Sequence, residues 1–372
     1  MLEKIMLKGN KLRIHIVIIC IAIIFIVAIL LFNYVQKTNR FELLSNVNIT
    51  TTLDEKVNSD TYWCGALNIA WQEFVKLHVN QEEGFINPSQ NLSALNSYYF
   101  QEDSVRDIYT LSGIKSLELK NKLESDIYEK YEEVCGILGS VKWRKPGKDS
   151  SNNYLIYSRL NKNIEFEKKF TEFGKDLFLG AKKTTYNVKY FGIDKNTLEN
   201  VYSQVQFLYH NSDTDYAVKL ITKSLDEVII CTTEIDTTLW DIYQNILTSS
   251  EIYLGSKNFA KGDTLKVPYI DFSKKINYTA LQNIAFIDKN NEKSTVTDVW
   301  QTIELKIDNS VSKPQTDENK DMSYDAAMAM DLENSDENRN FSFTNPFAIF
   351  LKEATSDMPY FAAYIEDISK FE

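Results

Sequence analysis

An α+β fold, one large domain carried outside a membrane by a single N-terminal helix, is what this sequence predicts. Three observations lead there. Ile14 to Phe32 is a run of mostly apolar residues long enough to span a bilayer. Aromatic residues make up 13% of the chain, which favours a β-containing fold with a real core over a disordered stalk. Near the C-terminus a strand-like run, Val299 to Asp308, is followed by the acidic, polar stretch 309–340. Two apolar strand-like segments, FSFTNPFAIFLKE (Phe341 to Glu353) and MPYFAAYIED (Met358 to Asp367), then almost end the chain.

At 372 residues the chain has room for an anchor plus one large domain or two modest ones. Residues 1–33 carry Lys4, Lys8, Lys11 and Arg13 against Glu3, a balance of +3; subtracting that from the net charge of −11 leaves −14 for the rest. So acidic a remainder argues against nucleic acid as a partner, because neutralising phosphates needs Lys and Arg. It also argues against broad docking onto anionic lipid.

The 19 residues of the apolar run would extend roughly 28 Å as a helix, close to the ~30 Å hydrocarbon core. Basic residues precede it, which places residues 1–13 in the cytoplasm and the bulk of the chain outside, at the cell membrane. The rival is a cleaved signal peptide, but Leu30-Leu31-Phe32-Asn33-Tyr34 is bulky where a cleavage site needs small residues. An uncleaved signal anchor over 14–32 is therefore expected. Residues 33–60, polar and with Thr50-Thr51-Thr52, read as a tether, and 61–372 as the folded domain.

Within that domain, Trp63, Leu67, Ala70, Trp71, Phe74, Leu77 and His78 fall on one stripe at spacings of three and four, predicting a helix with Asp60 and Thr61 as N-cap candidates. Residues 80–105, with Gly84 and Pro88, read as loop. Leu119, Leu123, Ile127, Tyr131 and Val134 predict a second amphipathic helix ended by Gly136. Strand character follows at Tyr154–Tyr157, then a helix-like run from Ile164 to Phe173. Val205–Tyr209 and Tyr216–Thr222 flank Asn211-Ser212-Asp213 as a hairpin. Val228–Cys231 reads as a strand, Leu239–Ile246 as a short helix, and Leu265–Phe272 as a strand in which Pro268 marks an edge or an end. Trp63, Trp71 and Trp300 are assigned to the core.

The order of these segments resembles the serpin fold along most of 61–372, with mixed and antiparallel sheets. The helix from Trp63 to Val79 looks like that family's opening helix. NYLIYSRLNKNIEFEKKF (Asn153 to Phe170) resembles its central-sheet strand and aromatic turn, and VQFLYHNSDTDYAVKLITK (Val205 to Lys223) its paired strands. LKVPYIDFSKKINYTAL (Leu265 to Leu281) resembles the strand carrying Val-Pro. VTDVWQTIELKID (Val296 to Asp308) and TNPFAIFLKE (Thr344 to Glu353) resemble the strands before and after the reactive loop. The sequence also resembles membrane-anchored proteins of low-GC Gram-positive bacteria. The resemblance implies that the pre-loop strand joins a large central sheet while the last two strands pair in a different one.

It also implies a suicide protease inhibitor whose cleaved loop enters a sheet as a new strand. The candidate loop residues are Asp308, Asn309, Ser310, Pro314, Ala326, Ala327, Met328, Ala329 and Met330. Inhibitory members place a Glu-Gly turn and small residues at the hinge; this chain has Asp308-Asn309-Ser310 and then Val311-Ser312-Lys313-Pro314-Gln315-Thr316-Asp317-Glu318. One alternation would bury Lys313, Asp317 and Asp321, and the other Pro314, Glu318 and Lys320. Either puts unpaired charge into a core at several kcal/mol per ion, and Pro314 cannot donate a ladder hydrogen bond. Ala326-Ala327-Met328-Ala329-Met330 is the small-residue tract: a displaced hinge, part of a loop helix, or a surface anchor. The expectation is a non-inhibitory binding or structural module at the cell surface, with an extracellular protein as partner. The alternative is an inhibitor using 309–340.

An enzyme is not expected. There is no HExxH, GxSxG or P-loop, no cofactor pattern, and no His/Cys grouping of metal-ligand spacing. His78 at the end of a helical stripe reads as a core or capping residue, and His210 as a turn residue. A Cys-His nucleophile on Cys64 or Cys231 requires partners that sequence does not place together. Outside the anchor, Cys64, Cys135 and Cys231 are either three buried thiols or one disulfide with a free thiol. The acidic residues from Asp317 to Glu337 lack the Gly turn of a Ca²⁺ loop and read as a solvated loop.

Overall fold

The computed structural model describes residues 41–86, 105–145, 152–233, 237–311 and 338–371, together with Pro88, Leu92 and Leu95. The expected cytoplasmic segment and anchor lie outside these residues. No helix among the described residues is long and apolar enough to cross a membrane.

The elements in chain order are β1 (Glu42–Leu43), β2 (Asn48–Ile49), β3 (Thr61–Cys64), α1 (Ala66–His78), β4 (Ile108–Ile114), α2 (Leu117–Tyr131), β5 (Asn153–Phe166), β6 (Thr171–Leu179), β7 (Thr185–Ile193), β8 (Val205–Ser212), β9 (Asp215–Ile221) and β10 (Asp226–Cys231). They continue with α3 (Leu239–Ile252), β11 (Thr264–Pro268), β12 (Ile270–Asn277), β13 (Ile284–Ile287), β14 (Lys293–Val311), β15 (Asn340–Ser342), β16 (Phe347–Glu353) and β17 (Pro359–Ile365).

Three sheets result. The first runs β1-β12-β14-β5-β4, with β13 also on β14; the second runs β2-β3-β17-β16-β10-β9-β8; the third runs β15-β11-β7-β6. The pre-loop strand β14 thus lies inside a large central sheet, while β16 and β17 pair antiparallel in another. That is the arrangement the resemblance implied.

The main core lies between the first two sheets. β16 and β17 are buried almost throughout because both of their faces are covered. α1 packs on β4 and β5, with Phe74 against Tyr154 of β5, and α3 packs on β8 and β17. A smaller core of Leu123, Ile127, Cys135, Ile137, Val141, Leu155, Tyr157 and Trp300 forms where α2 covers the outer face of the first sheet. α2 opens with Ser116 accepting from the Leu119 N–H, and it closes at Glu132 in the left-handed conformation (φ 54°), before Gly136 is reached.

Several sequence expectations are corrected. Residues 41–60 are part of the domain, not a tether: Leu53 and Val57 are fully buried, and Thr50 Oγ1 donates to the Tyr62 carbonyl at 3.3 Å. Trp63 lies on β3 and not on the first helix, whose N-cap is Gly65 and not Asp60 or Thr61. Ile164 to Phe173 is not helical. β5 continues to Phe166, and the Phe166, Phe170 and Phe191 rings cluster at the turn, 4.7 and 5.5 Å apart. Leu265–Phe272 is two strands in two sheets, with Pro268 ending β11. The β8–β9 hairpin and the third helix stand where expected, the helix running on to Ile252.

Candidate functional site

The loop between β14 and β15 leaves the C-terminal end of β14, so the neighbours of β14 decide what it can do. On one side β12 pairs antiparallel; on the other β5 pairs parallel, from Thr295↔Asn153 to Val311↔Phe166. A strand folding back from β14 would run antiparallel to it. Entering between β14 and β5 would replace one parallel pair by two antiparallel ones, the more stable arrangement per residue. The β5–β14 seam is therefore the element to inspect.

On its inner face Val299, Ile303, Leu305 and Ile307 of β14 meet Ile156, Leu160 and Ile164 of β5, all essentially fully buried. Gln301 interrupts this row, opposite Ser158, and both are fully buried. Gln301 Nε2 donates to Ser158 Oγ at 3.0 Å, while Gln301 Oε1 accepts from the Tyr62 and Tyr278 hydroxyls at 2.6 and 2.8 Å. One amide thus ties β14 to β5 across the seam, to β3 of the second sheet, and to the turn after β12. Burial pushes both tyrosine hydroxyls well above their ordinary pKa, so they stay protonated donors.

Nearer the loop, buried Lys162 of β5 lies 3.0 Å from Asp226 and 3.4 Å from Glu353, joining β5 to β10 and β16. Tyr360 donates to Asp226 at 2.9 Å. Burial pushes the Glu353 carboxyl up, but hydrogen bonds from the Arg106 side chain and backbone and the charges of Lys162 and Arg106 outweigh it, holding Glu353 below the usual carboxylate range. On the outer face Tyr157 donates to Thr302 at 3.1 Å, and Arg159 of β5 reaches Glu304 of β14 at 3.2 Å.

The loop-side end of the seam is irregular. Ile307 pairs with Ile164 and Val311 with Phe166, so Asp308, Asn309 and Ser310 bulge against Glu165 alone. Asp308 accepts from the Ser310 N–H at 2.7 Å and pairs with Lys306 at 2.8 Å; Asn309 accepts from the Tyr269 hydroxyl at 2.8 Å. These three residues, expected in the loop, belong to β14. Pro314, Ala326, Ala327, Met328, Ala329 and Met330 lie outside the described residues.

Downstream, Arg339 is buried and ion-paired to Asp263 at 2.7 Å, and it donates to the Ser256 and Asn258 carbonyls. Gly262, at φ 103°, adopts a backbone conformation that favours glycine, beside this Arg339–Asp263 pin. Both ends of the loop are thus fixed to the body of the domain.

The comparisons with known proteins bear on this arrangement of sheets. No protein-family model matches the sequence, and a search of curated proteins found no match. Among solved structures, a mouse protein-Z dependent protease inhibitor superposes with a TM-score of 0.54 at 11% identity, over 84% of this chain and 92% of that one. Thyroxine-binding globulin in complex with thyroxine superposes at 0.51 and 9% identity, over 83% and 93%.

The fold is serpin-like.

A Manduca sexta serine protease inhibitor, serpin-12, matches more loosely, with a TM-score of 0.44 at 12% identity over 72% of this chain and 79% of that one. At these identities the likeness is one of fold.

The cysteines singled out from the sequence are all buried. Burial pushes the thiols of Cys64 and Cys135 up to about 11 and that of Cys231 up to about 12, and all three cysteines are free. His78 ends α1 between the Phe74 and Tyr154 rings, with Nε2 3.1 Å from Ser112 Oγ; burial lowers its pKa. His210 is a residue of β8 and not of the turn, packed on Tyr216 and Phe341. Among the described residues no group of three or more His, Cys, Asp or Glu could hold a metal ion. A cleft of about 800 Å³ opens between the β8–β9 hairpin, α3 and the segment after β15, with Asp213, Asp215, Asn245 and Ser249 in its lining.

Gln301, Ser158, Tyr62, Tyr278, Asp263 and Arg339 were not singled out from the sequence. A signal did exist for two of them: Gln301 is the polar member of the apolar row Val299, Ile303, Leu305 and Ile307, and Ser158 stands between Ile156 and Leu160 in a β5 row whose other polar member is Lys162.

Proposed function

We propose that this chain is a non-inhibitory serpin-like module, held at the outer face of the cell membrane by 14–32, that acts there as a binding or structural element for another protein. The observation that carries the reading is the closed seam. β5 and β14 are paired along their shared length, clasped inside by Gln301, and paired again at Val311↔Phe166 beyond the bulge. A loop strand entering here would have to break that last pair and the Asp308–Ser310 turn first. It would then bring Lys313, Asp317 and Asp321, or Pro314, Glu318 and Lys320, into the core. Several kcal/mol per unpaired ion opposes the gain from new antiparallel pairing. The cleft beside α3 gives a binding role a place to act, and the name of thyroxine-binding globulin shows that one protein of this fold binds a ligand.

One observation favours a second reading, a protease inhibitor using 309–340. β5 and β14 are adjacent and parallel, the arrangement that insertion would convert to antiparallel. One of the matched structures is a protease inhibitor by name. Incubation with trypsin-like and subtilisin-like proteases separates the two readings. A non-inhibitory module is left intact or simply cut, and an inhibitor leaves an SDS-stable complex with the protease.

A further inference from the structure

The segment Phe41–Leu44 runs along the edge of the first sheet beside β12, and Phe41 reaches from there over the outer face to Arg159 of the seam. β1 pairs parallel with Lys274 and Lys275 of β12, Glu42 pairs with Lys274 at 3.1 Å, and the Leu44 N–H donates to the Lys275 carbonyl at 2.9 Å. Phe41, 2% exposed, turns inward. Its ring reaches the backbone at Gly136, where a Cβ would stand 3.1 Å away, and lies 5.3 Å from the Arg159 guanidinium.

Arg159 holds three elements together. It starts on β5, reaches Glu304 on β14 at 3.2 Å, and reaches Glu133, just past the end of α2, at 2.9 Å; the Tyr131 ring lies 4.0 Å from it. Its side chain is fully buried, yet Nε and Nη1 find no hydrogen-bond partner among the described residues. Two carboxylates and two aromatic faces are what stabilise the charge there. A buried guanidinium with unmet donors would take up water if it could reach them, and the Phe41 ring lies over this group. If Phe41 leaves, water can solvate Nε and Nη1, and the ion pair to Glu304 across the seam becomes a screened surface pair.

We infer that Phe41–Leu44 is a strap that keeps the outer face of the β5–β14 seam closed, so that displacing the chain just N-terminal to the domain loosens that seam. The inference rests on the reading of the seam as the functional element. It adds that the seam is under control of the N-terminal segment. Residues 33–40 separate the apolar run from Phe41, at most roughly 29 Å of fully extended chain, so an anchor at 14–32 would stand close to the strap.

The test is hydrogen–deuterium exchange on the full chain in detergent micelles, comparing Phe41→Ala, the milder Phe41→Leu, and Leu53→Ala. Leu53 is buried on the same N-terminal stretch but away from Arg159. The strap predicts that both Phe41 variants speed exchange of seam amides (155–161 and 300–306) at least threefold more than those of the remote β8–β9 hairpin, with Leu53→Ala showing no such preference. Equal change in seam and hairpin for the Phe41 variants, including no change in either, overturns it. Should Phe41→Ala fail to fold, Phe41→Leu decides alone. Exchange reads the coupling whether or not a protease is ever inhibited, so its failure is distinct from failure of the non-inhibitory reading.

Discussion

Replacing Gln301 by Leu keeps the volume and removes the amide. The Tyr62 and Tyr278 hydroxyls then lose their shared acceptor in a fully buried site, and Ser158 loses its donor. Each stranded hydroxyl donor costs about 1–3 kcal/mol, so the variant should lose about 2–6 kcal/mol, centred near 4. With an unfolding entropy of about 2.1 cal/mol/K per residue over the roughly 330 residues from 41 onward, 4 kcal/mol lowers Tm by about 6 °C. The assay is thermal unfolding followed by circular dichroism. The triple variant Gln301→Leu, Tyr62→Phe, Tyr278→Phe removes donors and acceptor together, and it should recover most of the loss, because apolar groups of matching shape need no partners. A single variant within 1 °C of the parent, or a triple variant no better than the single, would show that the Gln301 amide does not hold these hydroxyls.

Arg339→Ala strands the Asp263 carboxylate in a buried site and should cost about 3–5 kcal/mol; limited proteolysis should then cut faster near 338–345, and unchanged cleavage would count against the pin. The thiols of Cys64, Cys135 and Cys231 should resist alkylation in the native protein and react only on unfolding, because they are buried with pKa values pushed up to about 11, 11 and 12; peptide mapping reads this directly. Glu353 has a depressed folded pKa, so its contribution is fully present above the ordinary value of 4.5 and is lost as pH falls through the depressed one. Asp308 behaves alike: burial pushes its carboxyl up, but Lys306 and the bonds from Ser310 outweigh it. Tm should therefore fall below about pH 4.5, and Glu353→Gln should flatten part of that fall.

The order of elements was legible because the strands carry dense apolar runs whose sequence survives even when boundaries blur. Phe347–Glu353 and Pro359–Ile365 are so apolar that only burial on both faces accommodates them. What misled was periodicity across short elements. Four strand residues run directly into α1, so Trp63 falls by spacing on a helical stripe it does not share. Ile164, Phe166, Phe170 and Phe173 mimic helical spacing around an aromatic turn. Residues 41–60 looked like tether because their apolar residues are sparse, and their threonines are satisfied by partners such as the Tyr62 carbonyl and Glu55 that composition does not show. The seam clasp joins residues 62, 158, 278 and 301, and no local pattern brings those together.

The non-inhibitory reading requires that the loop between β14 and β15 stay out of the seam. The direct measurement is Tm before and after a single proteolytic cut within 312–337, with the products run on denaturing gel. A closed seam predicts that Tm stays within a few degrees and that no protease remains attached. A large rise in Tm after the cut, or a covalent band at the summed mass of protease and chain, would contradict it.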